Sequence, residues 1–525
     1  MTPDTPIHSD VSRPFSGWSN RILILAVAGI LFLTLYPFRF DFGRHLPRPL
    51  FPFSLGGWGK GIGPFDDFLN VLLFVPYGFG LAEKLRERGT LPMRTLGITI
   101  AAGASLSYAV ELLQIYIPFR DSGWEDVLTN SFGAAVGAVL FSLVGSATLA
   151  LLSAIEQKVC DWLTWRRAAL VLLLYFAFWC AAAVRLQEEA RLSSWNVDSL
   201  IVVGNSASNH FSPAWKGQVL GLEMWDQALS SELTQKLTAG EVPGHHASDS
   251  ILAYSFSGSA PFQDERHFVP DLSWTPRAPV TADPNGAFLD GKSWLVSSGT
   301  AAVLINELKK SGHFSLRILC EPAEISGVDA RIVSISSPAG AADMELKQKD
   351  ASLIFWFRTP LSARSSRMSW IIPATFAANE MRDILLSFDG ANLNLFIDGQ
   401  RRGRTYELGP GAALAKFIRH IRTPEFEGYQ YLFCALVFIP AGCLLGLAWR
   451  TMASRWLPKV SLLLPVFILP SVILEAMLVH VSGRAVSFEN VGLSILLAAA
   501  GSLWINTDRA SSGGLRERNQ LISAR

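Results

Sequence analysis

Apolar residues come in long unbroken runs at both ends of the chain and in short alternating runs in its middle. The long runs lie at about 21–38, 66–85, 95–117, 126–150, 167–185, 429–449, 459–481 and 488–506. A helix needs roughly 20 such residues to cross a bilayer, so the pattern predicts eight transmembrane helices. Between 190 and 428 the runs shorten, as in Leu353-Ile354-Phe355-Trp356-Phe357 and Ile384-Leu385-Leu386-Ser387-Phe388, and Gly, Asn, Asp and Pro bound them. The stretch Ser387 to Gly399 holds two Asp-Gly pairs, the strongest short cue for a hairpin. Regular short strands predict an all-β sandwich. The expected organisation is a multi-domain membrane protein: an N-terminal segment 1–20, a membrane block 21–185 with five spans, an inserted β domain 186–428, a second block 429–506 with three spans, and a tail 507–525.

Composition agrees with this division. Of 525 residues, 50% are hydrophobic and 17% charged, and mean hydropathy is +0.29. Soluble domains carry about 25% charge, so a simple soluble enzyme is excluded. The net charge of +1 provides no basic field for nucleic acid, and no nucleic-acid partner is expected. The connections on one side of the predicted spans carry sixteen Lys and Arg, and those on the other side six. The positive-inside rule then places both termini in the cytoplasm and 186–428 outside the cell membrane. The first run is not a cleaved signal: its polar lead is long, and no small-residue site follows Tyr36-Pro37-Phe38. Of five cysteines only Cys320 falls in the middle region, so that region holds no internal disulfide.

Polar residues inside spans are costly and are functional candidates by default. Here they are Asp67 and Asn70 in the second span, Glu111 and Gln114 in the third, Arg120 after it, and Asp126 and Asn130 in the fourth. The spacings are i,i+3, i,i+3 and i,i+4, so each pair shares one helix face. Gly133-x-x-x-Gly137 permits close helix approach. With the deduced orientation all seven polar residues lie toward the outer leaflet and are predicted to converge. The residues leave several chemistries open. They can glue helices together, with Glu111 pairing Arg120. They can bind an anionic lipid or glycan headgroup through the Arg120 fork. They can form a hydrolase or transferase site with Glu111 or Asp126 as general base. No His is near, so no metal is expected, and no cofactor.

The run Asn70-Val71-Leu72-Leu73-Phe74-Val75-Pro76-Tyr77-Gly78-Phe79, followed by Glu111-x-x-Gln114, Arg120, Asp126-x-x-x-Asn130 and Gly133, resembles the VanZ-like family over about 20–150. The resemblance implies an envelope membrane protein linked to reduced sensitivity to glycopeptide antibiotics such as teicoplanin. It implies no settled reaction.

The middle region resembles the laminin-G/concanavalin A-like jelly roll, in Leu252-Ala253-Tyr254-Ser255-Phe256, Phe314-Ser315-Leu316-Arg317 and the Asp-Gly strands. That resemblance implies glycan binding, in some members with calcium, although no Asp/Asn cluster here has ligand spacing. A binding-inactive sandwich is the alternative. The family's closing signature is present as Val203-Gly204-Asn205, Trp215 to Trp225 and Ala228-Leu229-Ser230. It precedes the opening strand, and too few residues follow Gly399 to supply it again. A circular permutation is therefore expected, with 197–237 completing the sheet begun by 250–410.

The second membrane block echoes the first. Pro440, Gly442, Glu475, Arg484, Asn490 and Gly501 each lie 364 residues after Pro76, Gly78, Glu111, Arg120, Asp126 and Gly137, and Ser471 likewise follows Ser107. This predicts a 4+4 parallel repeat. Cys434, Leu478 and Ser494 stand where the first copy has Asn70, Gln114 and Asn130, so the second copy is read as a scaffold. The favoured function is envelope binding at the inner (cytoplasmic) membrane, with membrane lipids and a cell-wall or surface glycan as partners. The rivals are an integral membrane enzyme acting on a polyprenyl- or peptidoglycan-linked substrate, and a purely structural protein.

Overall fold

The computed structural model describes residues 16–35, 40, 64–117, 123–208, 213–238, 250–275, 286–363, 369–418, 428–451 and 456–523. The chain opens with five helices: α1 (Ser16–Leu35), α2 (Pro64–Glu87), α3 (Pro92–Gln114), α4 (Trp124–Trp162) and α5 (Trp165–Glu188). A β region follows: β1 (Leu200–Val203), β2 (Lys216–Trp225), α6 (Ser231–Thr238), β3 (Leu252–Ser255), β4 (Leu272–Thr275), β5 (Ala287–Asp290), β6 (Trp294–Ser297), α7 (Ala302–Ser311), β7 (Phe314–Pro322), β8 (Asp329–Ser336), β9 (Ala342–Lys349), β10 (Ser352–Phe357), α8 (Pro360–Ala363), β11 (Trp370–Ile372), β12 (Arg382–Phe388), β13 (Asn392–Ile397), β14 (Gln400–Glu407) and α9 (Pro410–Ile418). Three helices close the chain: α10 (Tyr429–Thr451), α11 (Trp456–Ser482) and α12 (Phe488–Ser523).

Among the described residues seven helices are long and apolar enough to cross a membrane: those of α1 to α5, α10 and α12. The remaining predicted run falls in α11, whose Phe467–Ser482 stretch is a shorter apolar helix. The helix that carries the fourth run, α4, continues past the apolar stretch to Trp162. Bilayer thickness limits the apolar run but not the helix, and residues 151–162 contain no Gly or Pro to break it. Glu156, in this extension, takes a 2.8 Å ion pair from the buried Arg21 of α1.

Two compact units emerge. One gathers the helices up to Leu173 with Ile439–Val460 and the stretch from Ala498 onward; the other holds Leu174–Phe438 and Ser461–Leu497. In the first unit α2 and α4 lie backbone against backbone. A Cβ added at Gly78 would run into the Ala134 carbonyl, one at Gly137 into the Val75 carbonyl, and one at Gly133 into the Val71 carbonyl. In hydrocarbon, helices are held by such packing and by hydrogen bonds rather than by the hydrophobic effect.

In the second unit the strands form two seven-stranded antiparallel sheets. The first has the order β11-β10-β9-β8-β1-β6-β4; the second runs β14-β13-β12-β7-β2-β3, with β5 also paired to β2. Strand residues alternate as the period-2 pattern predicts: Leu353, Phe355 and Phe357 of β10 are buried and their neighbours half-buried. Both sheets contribute to one core, with Ile201 and Val333 from the first, Leu222 and Leu316 from the second, and Leu304 and Leu308 from α7. The β13–β14 connection is a two-residue loop, with Ile397 opposite Gln400. Its central residues, Asp398 and Gly399, both have positive φ, 52° and 74°, as a tight hairpin turn matching strand twist requires.

Strands β1 and β2 sit inside the sheets, not beside them. β1 pairs with β8 on one side and β6 on the other, Leu200 facing Ser336 and Val203 facing Leu295. β2 pairs with β7, β3 and β5. The helix α6 begins directly after Ala228-Leu229-Ser230.

Candidate polar site at the ends of the first helices

The polar residues singled out in the first block fall on three helix ends: Asp67 and Asn70 in the opening turns of α2, Glu111 and Gln114 in the last turn of α3, Asp126 and Asn130 in the opening turns of α4. Hydrogen bonds tie most of them across helices. Asn70 Nδ2 donates to Asp126 Oδ1 at 2.6 Å, joining α2 to α4. Asn130 Nδ2 donates to Ser107 Oγ at 2.9 Å, joining α4 to α3. Gln114 Nε2 donates to the Thr34 carbonyl at 2.9 Å, joining α3 to α1. Glu111, Gln114 and Asn130 are buried.

Glu111 has a distinct role. Its Oε2 accepts the Gly123 N–H at 3.1 Å, and Gly123 is the residue that caps α4. A carboxylate there satisfies one of the unpaired N–H groups of the helix start and meets the positive end of its dipole. Arg120 lies outside the described residues. Among the described residues, two buried oxygens in the cluster, Asp67 Oδ1 and Asn130 Oδ1, have no hydrogen-bond partner. Buried unpaired acceptors are rare, and each one asks for a donor. Among the described residues no group of three or more His, Cys, Asp and Glu side chains is placed to hold a metal ion.

Sequence reasoning missed two partners. The Thr34 carbonyl has no side-chain signal at all. Ser107 had one, its recurrence as Ser471, but a serine on an apolar helix shows no partner until the helices pack.

Local features of this block recur later in the chain. A Cβ at Gly442 would run into the Ala498 carbonyl, and one at Gly501 into the Ile439 carbonyl; these match Gly78 with Ala134 and Gly137 with Val75. Glu475 Oε1 accepts the Ser487 N–H at 2.7 Å, just ahead of α12, as Glu111 accepts that of Gly123 ahead of α4. Glu475 also takes two bonds from the guanidinium of Arg484, at 2.7 and 2.8 Å.

Apolar helices long enough to span a bilayer, with a separate antiparallel β region, define a multi-pass membrane protein carrying an inserted β domain. Residues 17–145 match the VanZ/LLP1 family model, so the chain contains a VanZ-like domain that covers α1 to α3 and most of α4. The match ends ahead of the β region. No curated protein matches the chain, and no solved structure does.

Proposed function

We propose that this VanZ-like envelope protein binds a lipid-linked group in the polar cluster at the ends of α2, α3 and α4, and that its β domain engages a surface or cell-wall glycan. The observation that carries the first half is the pair of unpartnered buried oxygens, Asp67 Oδ1 and Asn130 Oδ1, inside the VanZ-like domain. They seek donors such as ligand hydroxyls, while an anionic portion of the same ligand falls to the Arg120 guanidinium. The Lys and Arg distribution supports an inner-membrane orientation with both termini cytoplasmic and 186–428 outside. That orientation brings the cluster to the outer leaflet, where an envelope ligand is met. The family resemblance carries the link to glycopeptide susceptibility.

Two architectural readings go with this function. Recurrence of the glycine contacts and of the Glu carboxylate ahead of a helix start, all at one sequence offset, supports a 4+4 parallel repeat. The interior positions of β1 and β2 support a circularly permuted jelly roll.

A structural role for the cluster is the second reading. The Asn70–Asp126 and Asn130–Ser107 bonds favour it, because they cross-link three helices without any ligand. One experiment separates the two. Bacteria expressing the chain or its Arg120→Ala and Asp67→Asn variants are challenged with teicoplanin, and membrane abundance is measured in parallel. Lost protection at unchanged abundance supports binding. Protection that falls only with abundance supports helix cross-linking.

A further inference from the structure

The β region and the first turns of α10 and α12 line a half-open pocket of about 290 Å³, all of it within one compact unit. That volume is near the lower end of the range for small-ligand pockets, about 300–1,000 Å³. Its wall is made by β13 and β14, through Asn392, Asn394, Arg401 and Glu407; its other side by Gln430 and Tyr431 of α10 and Glu489 of α12. The lining is polar, unlike the apolar core on the opposite face of the same strands.

Three of the lining side chains are incompletely satisfied. Glu407 Oε2, Gln430 Oε1 and Gln187 Oε1 are each buried with no hydrogen-bond partner among the described residues. Gln187 spends its amide N–H on the Gly390 carbonyl at 2.9 Å, which leaves its single carbonyl oxygen unpaired, and Glu407 takes a bond from the Gly428 backbone while its Oε2 stays unpaired. Donors face the same space: the Arg401 guanidinium, which holds Asn394 Oδ1 at 3.0 Å, and the Tyr431 hydroxyl.

The mixture of groups restricts the occupant. An ammonium offers donors to the three oxygens but nothing to Arg401 or Tyr431. A phosphate or carboxylate offers acceptors only and meets Glu407 and Glu489. A hydroxyl both donates and accepts, so several hydroxyls on one ring meet both halves of the lining. We propose that this cavity is a saccharide-binding pocket of the β domain, with Glu407, Gln430 and Gln187 accepting from ligand hydroxyls and Arg401 donating to them. The proposal rests on the glycan reading given above and adds its location. The first turns of two membrane-type helices line the pocket, so the saccharide can arrive free or as a glycolipid headgroup.

The test uses the full chain in phosphatidylcholine nanodiscs. In one arm free chitobiose is titrated calorimetrically. In the other the nanodiscs contain a glycosyl diacylglycerol, and hydrogen exchange is followed at β14 and the start of α10. Glu407→Gln and Arg401→Ala are compared with the parent, with melting temperature measured for each. Arg401 is exposed, so its truncation leaves folding intact and the test valid. Loss of a hydrogen bond to a charged group weakens binding about tenfold, and that loss in both variants, with Arg401→Ala at unchanged melting temperature, is the expected result. A signal in the first arm assigns a free glycan, and one in the second arm alone a headgroup. Binding that both variants retain overturns the pocket and leaves glycan binding to another face of the domain. Absence of binding in both arms overturns the pocket and the glycan reading together.

Discussion

Arg484 closes a bidentate pair on Glu475, Nη1 to Oε1 at 2.7 Å and Nη2 to Oε2 at 2.8 Å, with side chains only 7% and 5% exposed. Removing one member of such a pair strands a buried charge, which costs about 3–5 kcal/mol, whereas replacing both can be nearly neutral. Arg484→Leu should therefore lower the melting temperature of the detergent-solubilised chain sharply. Adding Glu475→Leu should restore most of it. A double variant no more stable than the single one would show that the carboxylate's bond to the Ser487 N–H, not the ion pair, dominates.

Gly78 and Gly442 should be equally intolerant of bulk. At each, a new side chain meets a carbonyl of the partner helix, so Val at either position should cost several kcal/mol through forced helix separation. Gly29 and Gly97 have open space around the same position, and Ala there should be neutral or stabilising by up to about 1 kcal/mol. Thermal melts of the four variants check this. A tolerant Gly442 beside an intolerant Gly78 would argue against matched packing in the two blocks.

Glu407 gives a pH dependence with a definite sign. Burial pushes its carboxyl up to about 7 from the usual 4.5, with Glu489 adding to the shift and Arg484 and the Gly428 N–H opposing it. The folded state holds the proton more tightly than the unfolded chain, so the contribution is complete below about pH 4.5. It is lost as pH rises through about 7. At about 1.4 kcal/mol per unit the change amounts to at most about 3–4 kcal/mol. Stability of the β region should fall across that window in the parent and stay flatter in Glu407→Gln, as followed by hydrogen exchange at β14.

Leu222 of β2 is buried in the shared core, and β2 pairs with β7 from Gly217 to Trp225. Leu222→Ala should cost about 2–5 kcal/mol. The loss should appear as faster exchange at Leu316 and Ile318 of β7 as well as in β2, because one cooperative unit contains both. A loss confined to 200–238 would mean that this segment folds as a separate hairpin.

The legible part of this chain was its periodicity and its punctuation. Runs of apolar residues located seven helices, and Asp398-Gly399 announced a two-residue turn that the backbone adopts. Glycine spacing at 133 and 137 announced close approach, but not that the Val71 and Val75 carbonyls would be the surfaces approached. The polar residues of α2, α3 and α4 could be picked out because polarity in an apolar helix is expensive. Their pairing could not, since Asn70 reaches Asp126 across 56 positions of chain and helical periodicity carries no information about which helix is the neighbour. The cavity at Glu407 was invisible for a related reason: it is assembled from a hairpin, two helix starts and the end of α5, and none of these carries a motif.

The interior placement of β1 and β2 also sets an order of events on the ribosome. These two interior strands are made first, while β8, which must pair with β1, ends at Ser336, and β7 ends only at Pro322. Until then the nascent chain presents two apolar strands with unpaired edges, a state prone to pairing with the wrong partner. Chains stalled or truncated before β8 should thus be the aggregating and degraded species, whereas those truncated after it already hold every partner of β1 and β2.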